Sequence, residues 1–490
     1  MAFFKLHLLL GACWALPAVS LTVPSKALWF QQKVNHFSAS NATYLQRYYM
    51  DDKHWAGPGS PIFVIMGGER GIPPEMGIFW PWISEVLARQ FGGLVLVPEH
   101  RFYGESLPYG PASYEAEHLK GAMTSQEALA DAAELIRSTQ LARNCTVTGT
   151  SGYCPVLVIG GSYSGFLAAM MRMRYPAVVD MAYASSAPLK FYSQEVGQYA
   201  YYAKVTESAE KSMKGCAAAV LQAFQKMMDF FQTANSSQIA QQFSVCEPVS
   251  QPADLADNLL FLAEQTFATL NMVNYPPNSN TGLRRTCGSF IAAAGHRELE
   301  AFRDLFLQET HLGFMNQPLS RSTCFNVSAH LPAGESATAR CGDWSGCSSG
   351  RDGEMWDFQT CSFEVERIGF GSEEQMFPSH PWTMEWLKEH CMKRFAVRPQ
   401  PKSLVDLWGF DEATLVSSTS RILFVNGLND GWSVAGILQN LSREKGLIAI
   451  NLPNGAHHSE LSLGLEETEE VRQVRQQILA IVGQWLEEIN

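Results

Sequence analysis

A serine set among glycines is the first place in this 490-residue chain where chemistry can be read. Gly160-Gly161-Ser162-Tyr163-Ser164-Gly165 follows the apolar run 156–159 and opens a stretch with Phe166, Leu167, Met170 and Met171 at helical spacing. A strand, a sharp turn and a helix in that order expose the residue at the turn, and small neighbours are the condition for so tight a bend. A serine hydroxyl is a weak nucleophile at its own pKa and needs an adjacent base. Asp430 and the pair His457-His458 follow later, each after a β-type run, 422–425 and 447–450. Loops at strand C-terminal ends are where open α/β sheets hold ligands. The order Ser, Asp, His suits acyl transfer: an imidazole takes the Ser162 proton and the carboxylate fixes its tautomer. The residues alone do not choose between His457 and His458. The Tyr163 backbone N–H, at a helix start, is the expected first donor to the oxyanion, and Gly68, after an earlier strand, the second. The turn departs from G-x-S-x-G in one respect: position 164 is Ser, and the glycine stands at 165.

The elements that must hold these groups are short buried strands and intervening helices. Runs at 61–66, 94–97, 156–159 and 181–184 have the length of parallel strands covered on both faces. Thr124 with Glu127 forms a capping box ahead of a helix through Leu129 to Leu141. Between 193 and 394 strand-like runs fade, and helical stripes such as Met213, Val220, Leu221, Phe224 and Met228 dominate. These stripes read as helix core. The fold expected is therefore α/β, a sheet split by an inserted, disulfide-stapled helical cap. Its parts are a leader at 1–20, sheet domain at 21–192, cap at 193–394 and the rest of the sheet domain at 395–490.

The leader has the form of a secretory signal peptide: Lys5, an apolar run at 6–16 interrupted by His7, then Ala18 and Ser20 at a cleavage site. The run is too short to span a bilayer core of about 30 Å. Cysteine usage agrees with that compartment. Of 11 Cys, Cys13 leaves with the leader, and an even number remains, without a C-x-x-C pair to hold zinc. Sequons begin at Asn41, Asn144, Asn235, Asn326 and Asn440, as expected of a glycoprotein. The net charge of −12, with no basic stripe, argues against nucleic acid. Neither a cofactor nor a metal is expected.

Several segments together resemble the serine carboxypeptidase S28 family. They are the turn at Ser162, Glu99-His100-Arg101-Phe102-Tyr103-Gly104-Glu105-Ser106, Ala184-Ser185-Ser186-Ala187-Pro188, Asn426-Gly427-Leu428-Asn429-Asp430-Gly431-Trp432 and Gly455-Ala456-His457-His458. The resemblance runs from Trp29 to the C-terminus. It implies an α/β-hydrolase fold, selects His457 of the pair, and implies cleavage after proline or a small residue near a peptide terminus. It also implies a proline pocket walled by Trp432 and Phe166. A flat indole suits a pyrrolidine ring. One departure is Gly431, where the family has proline between the acid and the tryptophan; losing it is expected to loosen that loop. The loop Cys341-Gly342-Asp343-Trp344-Ser345-Gly346-Cys347 resembles that of the dipeptidyl peptidase II branch and implies that Asp343 binds a substrate amino terminus. The implied disulfides are Cys145–Cys154, Cys216–Cys287, Cys246–Cys324, Cys341–Cys347 and Cys361–Cys391. The expectation is a secreted or lysosomal homodimeric exopeptidase releasing X-Pro or X-Ala dipeptides from peptides. The alternatives are a prolyl carboxypeptidase-like or thymus-type specificity, or a catalytically silent binding glycoprotein.

Overall fold

Strands β3 (Ile62–Ile65), β4 (Leu94–Pro98), β5 (Val156–Gly161), β6 (Met181–Ser185), β7 (Ile422–Gly427) and β8 (Leu447–Leu452) pair in parallel. They are apolar throughout because both faces are covered. Ile62 and Val64 enter a core with Leu129, Ile136, Leu167 and Met171, whereas Phe63 and Ile65 enter another with Trp82, Leu87, Val474 and Trp485. Two further strands, β1 (Leu28–Lys33) and β2 (Thr43–Asp51), add antiparallel at one edge, giving the order β1-β2-β4-β3-β5-β6-β7-β8. This is an α/β-hydrolase sheet of eight strands.

A computed structural model describes residues 25–245, 252–277, 279–308, 324, 351–371, 375–462 and 467–489. The expected leader at 1–20, Cys246, Asn326, Asp343 and the Cys341–Cys347 loop lie outside them. Among the described residues no helix is long and apolar enough to cross a membrane.

The helix Ser125–Ala142 starts where Thr124 accepts the Glu127 N–H, at 3.3 Å. The expected capping box is only half present. The Glu127 carboxylate turns away to accept the His36 N–H at 2.9 Å and lies 3.3 Å from Arg101. Arg101 also forks onto Asp131 of the same helix, at 2.6 and 2.7 Å, and donates to the carbonyls of Val34 and Ala122. The Glu99-His100-Arg101 segment is thus a buried brace between the sheet and this helix. Fully paired, its charges escape the penalty of isolated burial.

Between β6 and β7 the chain runs through helices, among them Ala200–Ser212, Cys216–Phe231, Pro252–Met272, Gly282–Ala293 and Met384–Phe395. The first four share a core of Val220, Phe224, Leu259, Phe267, Phe290 and Phe302, which also takes in Trp432, whereas Met384–Phe395 packs through Leu387, Cys391 and Phe395 on Phe102, Leu119 and Phe358. Disulfides Cys216–Cys287 and Cys361–Cys391 pin these helices, and Cys145–Cys154 closes the loop before β5. Cys324 is disulfide-bonded as well.

Candidate active site

The elbow forms because β5 ends in two glycines and a helix, Tyr163–Arg174, begins one residue later. Ser162 takes up the bend at φ 56° and ψ −131°, a conformation unfavourable for a side-chain-bearing residue and found where surroundings impose it. Those surroundings are explicit. The Ser162 N–H bonds to the Ser185 carbonyl of β6 at 2.9 Å, and its own carbonyl accepts the N–H groups of Gly165 and Phe166. A Cβ on Gly160 would lie 1.8 Å from the Ser164 carbonyl oxygen, so only glycine fits. Ser164, the departure from the usual pattern, stitches the turn. Its hydroxyl accepts the Gly161 N–H at 3.0 Å and donates to the Gly161 carbonyl at 2.8 Å. The displaced glycine, Gly165, lets the helix approach β6, where a Cβ would meet Ser185 O and Ala187 Cβ at 3.0 Å.

The acid and base loops come from the ends of β7 and β8. A Cβ on Gly427 would strike the Ala456 carbonyl at 2.2 Å, so this glycine lets the two loops touch. Asp430 is fully buried and caps the turn Gly431–Ala435, its Oδ1 accepting the Trp432 N–H at 3.1 Å. Its Oδ2 accepts from His457 Nδ1 at 2.5 Å. That bond fixes the tautomer and leaves Nε2 as the nitrogen able to take a proton. His458 makes no such contact. Its N–H reaches Ser186 Oγ, its ring lies edge-on to Trp80, and burial holds its basicity well below the usual histidine range. The His458 Nε2 atom stands 2.8 Å from where a Gly161 Cβ would be, so the histidine loop lies over the residue preceding Ser162.

Gly68 lies against the elbow helix, its virtual Cβ 3.5 Å from Ser164 Cβ. Tyr163 is the first residue of that helix, so its N–H has no acceptor in a preceding turn. The Tyr163 side chain anchors the elbow from behind through a directional chain. Tyr103 donates to Gln359 Oε1 at 2.6 Å, Gln359 Nε2 donates to Tyr163 Oη at 2.7 Å, and Tyr163 Oη lies 3.3 Å from His100 Nε2. His100 Nδ1 sits 2.7 Å from the Arg101 carbonyl and must carry the proton, so Nε2 accepts. Burial agrees, pushing this imidazole down to about 4.

Trp432 packs edge-to-face on Tyr201 and Phe191 and faces His457, ring centroids 6.5 Å apart. Phe166 has no exposed surface and packs on Tyr192 and Phe410, each 4.5–4.6 Å away. The sequence reading missed Glu69, which follows Gly68. Burial pushes its carboxyl up, opposed by the neighbouring charges of His457 and Arg70. An acid beside a glycine pair after a strand was the available signal.

Carboxyls raised by burial recur around the site: Glu69, Asp352, Glu364 and Glu460. Glu364, bonded to the Ser125 hydroxyl, is pushed up to about 7. A group raised in the folded state binds more protons there than in the unfolded chain. Its stability contribution is complete below about 4.5 and is lost as pH rises towards 7, a change of roughly 3 kcal/mol for a shift of this size. His100 acts oppositely, stabilising less as pH falls from 6.5 towards 4. The expected outcome is a melting temperature that drops between pH 5 and 7, with a shallower drop in Glu364→Gln. Parallel melting curves for the two proteins would refute it.

A family model described as Serine carboxypeptidase S28 matches residues 32–478. Lysosomal Pro-X carboxypeptidase of Homo sapiens is 30% identical over 455 residues, covering 91% of this chain and 85% of that protein. Thymus-specific serine protease of Mus musculus is 27% identical over 482 residues, covering 94% and 88%. Matched over so much of its length, the chain belongs to the serine carboxypeptidase S28 family.

Proposed function

We propose that Ser162, His457 and Asp430 form the acyl-transfer triad of a serine exopeptidase. The observation that carries the reading is the 2.5 Å bond between Asp430 and His457 Nδ1, on a loop lying over the Ser162 elbow. Ser162 Oγ attacks the scissile carbonyl carbon while His457 Nε2 takes the hydroxyl proton. The N–H groups of Tyr163 and Gly68 receive the developing oxyanion. Collapse breaks the C–N bond, and His457 returns the proton to the leaving amine. Water then repeats the sequence on the acyl-enzyme and regenerates Ser162.

Trp432, steadied by Phe191 and Tyr201, is the wall for a proline or alanine before the scissile bond. Phe166 supports this region from within the core. The end of the substrate is assigned on charge. Asp343, in the loop resembling that of dipeptidyl peptidase II, offers a carboxylate to a free ammonium group. The product is then an amino-terminal X-Pro or X-Ala dipeptide. A second reading, release of the residue after proline from the carboxyl end, is favoured by the Pro-X carboxypeptidase relatives. The cap at 193–394 limits entry to short peptides in either case. Disulfides, exposed sequons at Asn41, Asn144 and Asn235, and lysosomal relatives support a glycoprotein of the secretory pathway or lysosome.

Fluorogenic Lys-Ala and Gly-Pro conjugates, with free and blocked amino ends, separate the readings. Cleavage of the free conjugates alone is expected. Equal cleavage of blocked conjugates contradicts dipeptide release. With a longer peptide that ends in Pro-Phe and has neither proline nor alanine second from its amino end, release of free Phe without an amino-terminal dipeptide would transfer the assignment to the carboxypeptidase.

A further inference from the structure

The last two residues of the helix Pro252–Met272, both buried, reach out of the inserted region into the acid and base loops. Asn271 Oδ1 accepts the Gly431 N–H at 2.8 Å, and Asn271 Nδ2 donates to the Asn429 carbonyl at 2.8 Å. One side chain therefore clasps the backbone on both sides of Asp430. Met272 does the same for the base. Its carbonyl accepts the His457 N–H at 3.1 Å, and its sulfur accepts from Trp432 Nε1 at 3.2 Å. The neighbouring helix Ala200–Ser212 adds Ser208 Oγ to the Asn429 carbonyl and Lys211 Nζ to Asn429 Oδ1.

We infer that Asn271 and Met272 are positioning residues, through which the inserted helices set the distance and angle between the acid and the base. The inference rests on the triad reading above. Within its own loop Asp430 has a 3.2 Å bond from its N–H to the Gly427 carbonyl and accepts the Ser433 N–H on its carbonyl and the Trp432 N–H on Oδ1, each at 3.1 Å. The clasp adds ties from the inserted helices on both sides of Asp430. It also accounts for Gly431. A proline there has no N–H to give Asn271, and a Cβ at this position would lie 2.7 Å from the Tyr201 ring. The loop expected to be loosened by loss of proline is held instead from the cap.

The test uses the full-length protein and the rate of labelling by a fluorophosphonate, which reads the reactivity of Ser162 without assuming a substrate. Asn271→Leu keeps the branched outline and the number of heavy atoms and removes both hydrogen bonds. It is expected to slow labelling about 100-fold, as misplaced catalytic groups do, to lower kcat with KM little changed, and to leave the melting temperature in the folded range. Asn271→Asp keeps the acceptor for Gly431 and is expected to lose about ten-fold. A folded Asn271→Leu labelled at the wild-type rate, with Ser162→Ala and His457→Ala unlabelled, overturns the clasp and leaves the triad standing. Wild-type labelling of His457→Ala overturns the triad itself and the clasp with it. If the leucine variant does not fold, the aspartate variant decides alone, and a wild-type rate there overturns the inference.

Discussion

Ser162→Ala is expected to abolish turnover of every substrate the wild type cleaves, with a fall in kcat on the order of a million-fold. On the triad reading the loss is that large because this hydroxyl carries the acyl group. The substitution removes one oxygen from a half-buried position and leaves the Ser162 backbone bonds to Ser185, Gly165 and Phe166 intact. Circular dichroism and melting temperature should therefore match the wild type while activity vanishes. A folded alanine variant retaining a tenth of the activity would show that the chemistry lies elsewhere.

Asp430→Asn is the second large effect, about 10⁴-fold in kcat at neutral pH or below. The direction follows from the two oxygens. Oδ1 accepts the Trp432 N–H and Oδ2 faces His457 Nδ1. An asparagine keeps its oxygen on Trp432 and turns its amide nitrogen to the imidazole. As a donor, that nitrogen forces Nδ1 to accept and moves the proton to Nε2, where it blocks the base. Steady-state kinetics across pH check this. Turnover of the variant unchanged at pH 6 would mean that Asp430 does not set the tautomer.

Much of the site was legible because its parts are local. Strand, glycine turn and helix are contiguous around Ser162, and the acid and base follow strand ends that are plain apolar runs. Those runs are visible because β3 to β8 are buried on both faces. The strands β1 and β2 were not seen, since they alternate in burial and hold polar residues inside, such as Gln32 bonded to Gln46 at 3.0 Å. Their polar groups are satisfied by residues distant in the chain, across the sheet and on the helix Ser125–Ala142, which no local pattern reveals. The same holds for Asn271, 158 and 160 residues from its two partners. In the sequence it is one polar residue ending an apolar helix. Ser164 shows a milder case: the departure was visible, but its two bonds to Gly161 exist only once the turn has formed. The residues alone left His457 and His458 open and the family resemblance selected His457; in the fold it is His457 that meets Asp430.

The most direct test of the central claim is to treat the protein with a fluorophosphonate and locate the adduct by peptide mass spectrometry, beside the His457→Ala variant. The reading predicts one phosphonylated residue, Ser162, with labelling slowed at least a thousand-fold in the variant. An adduct on another residue, or equal labelling of both proteins, would contradict it.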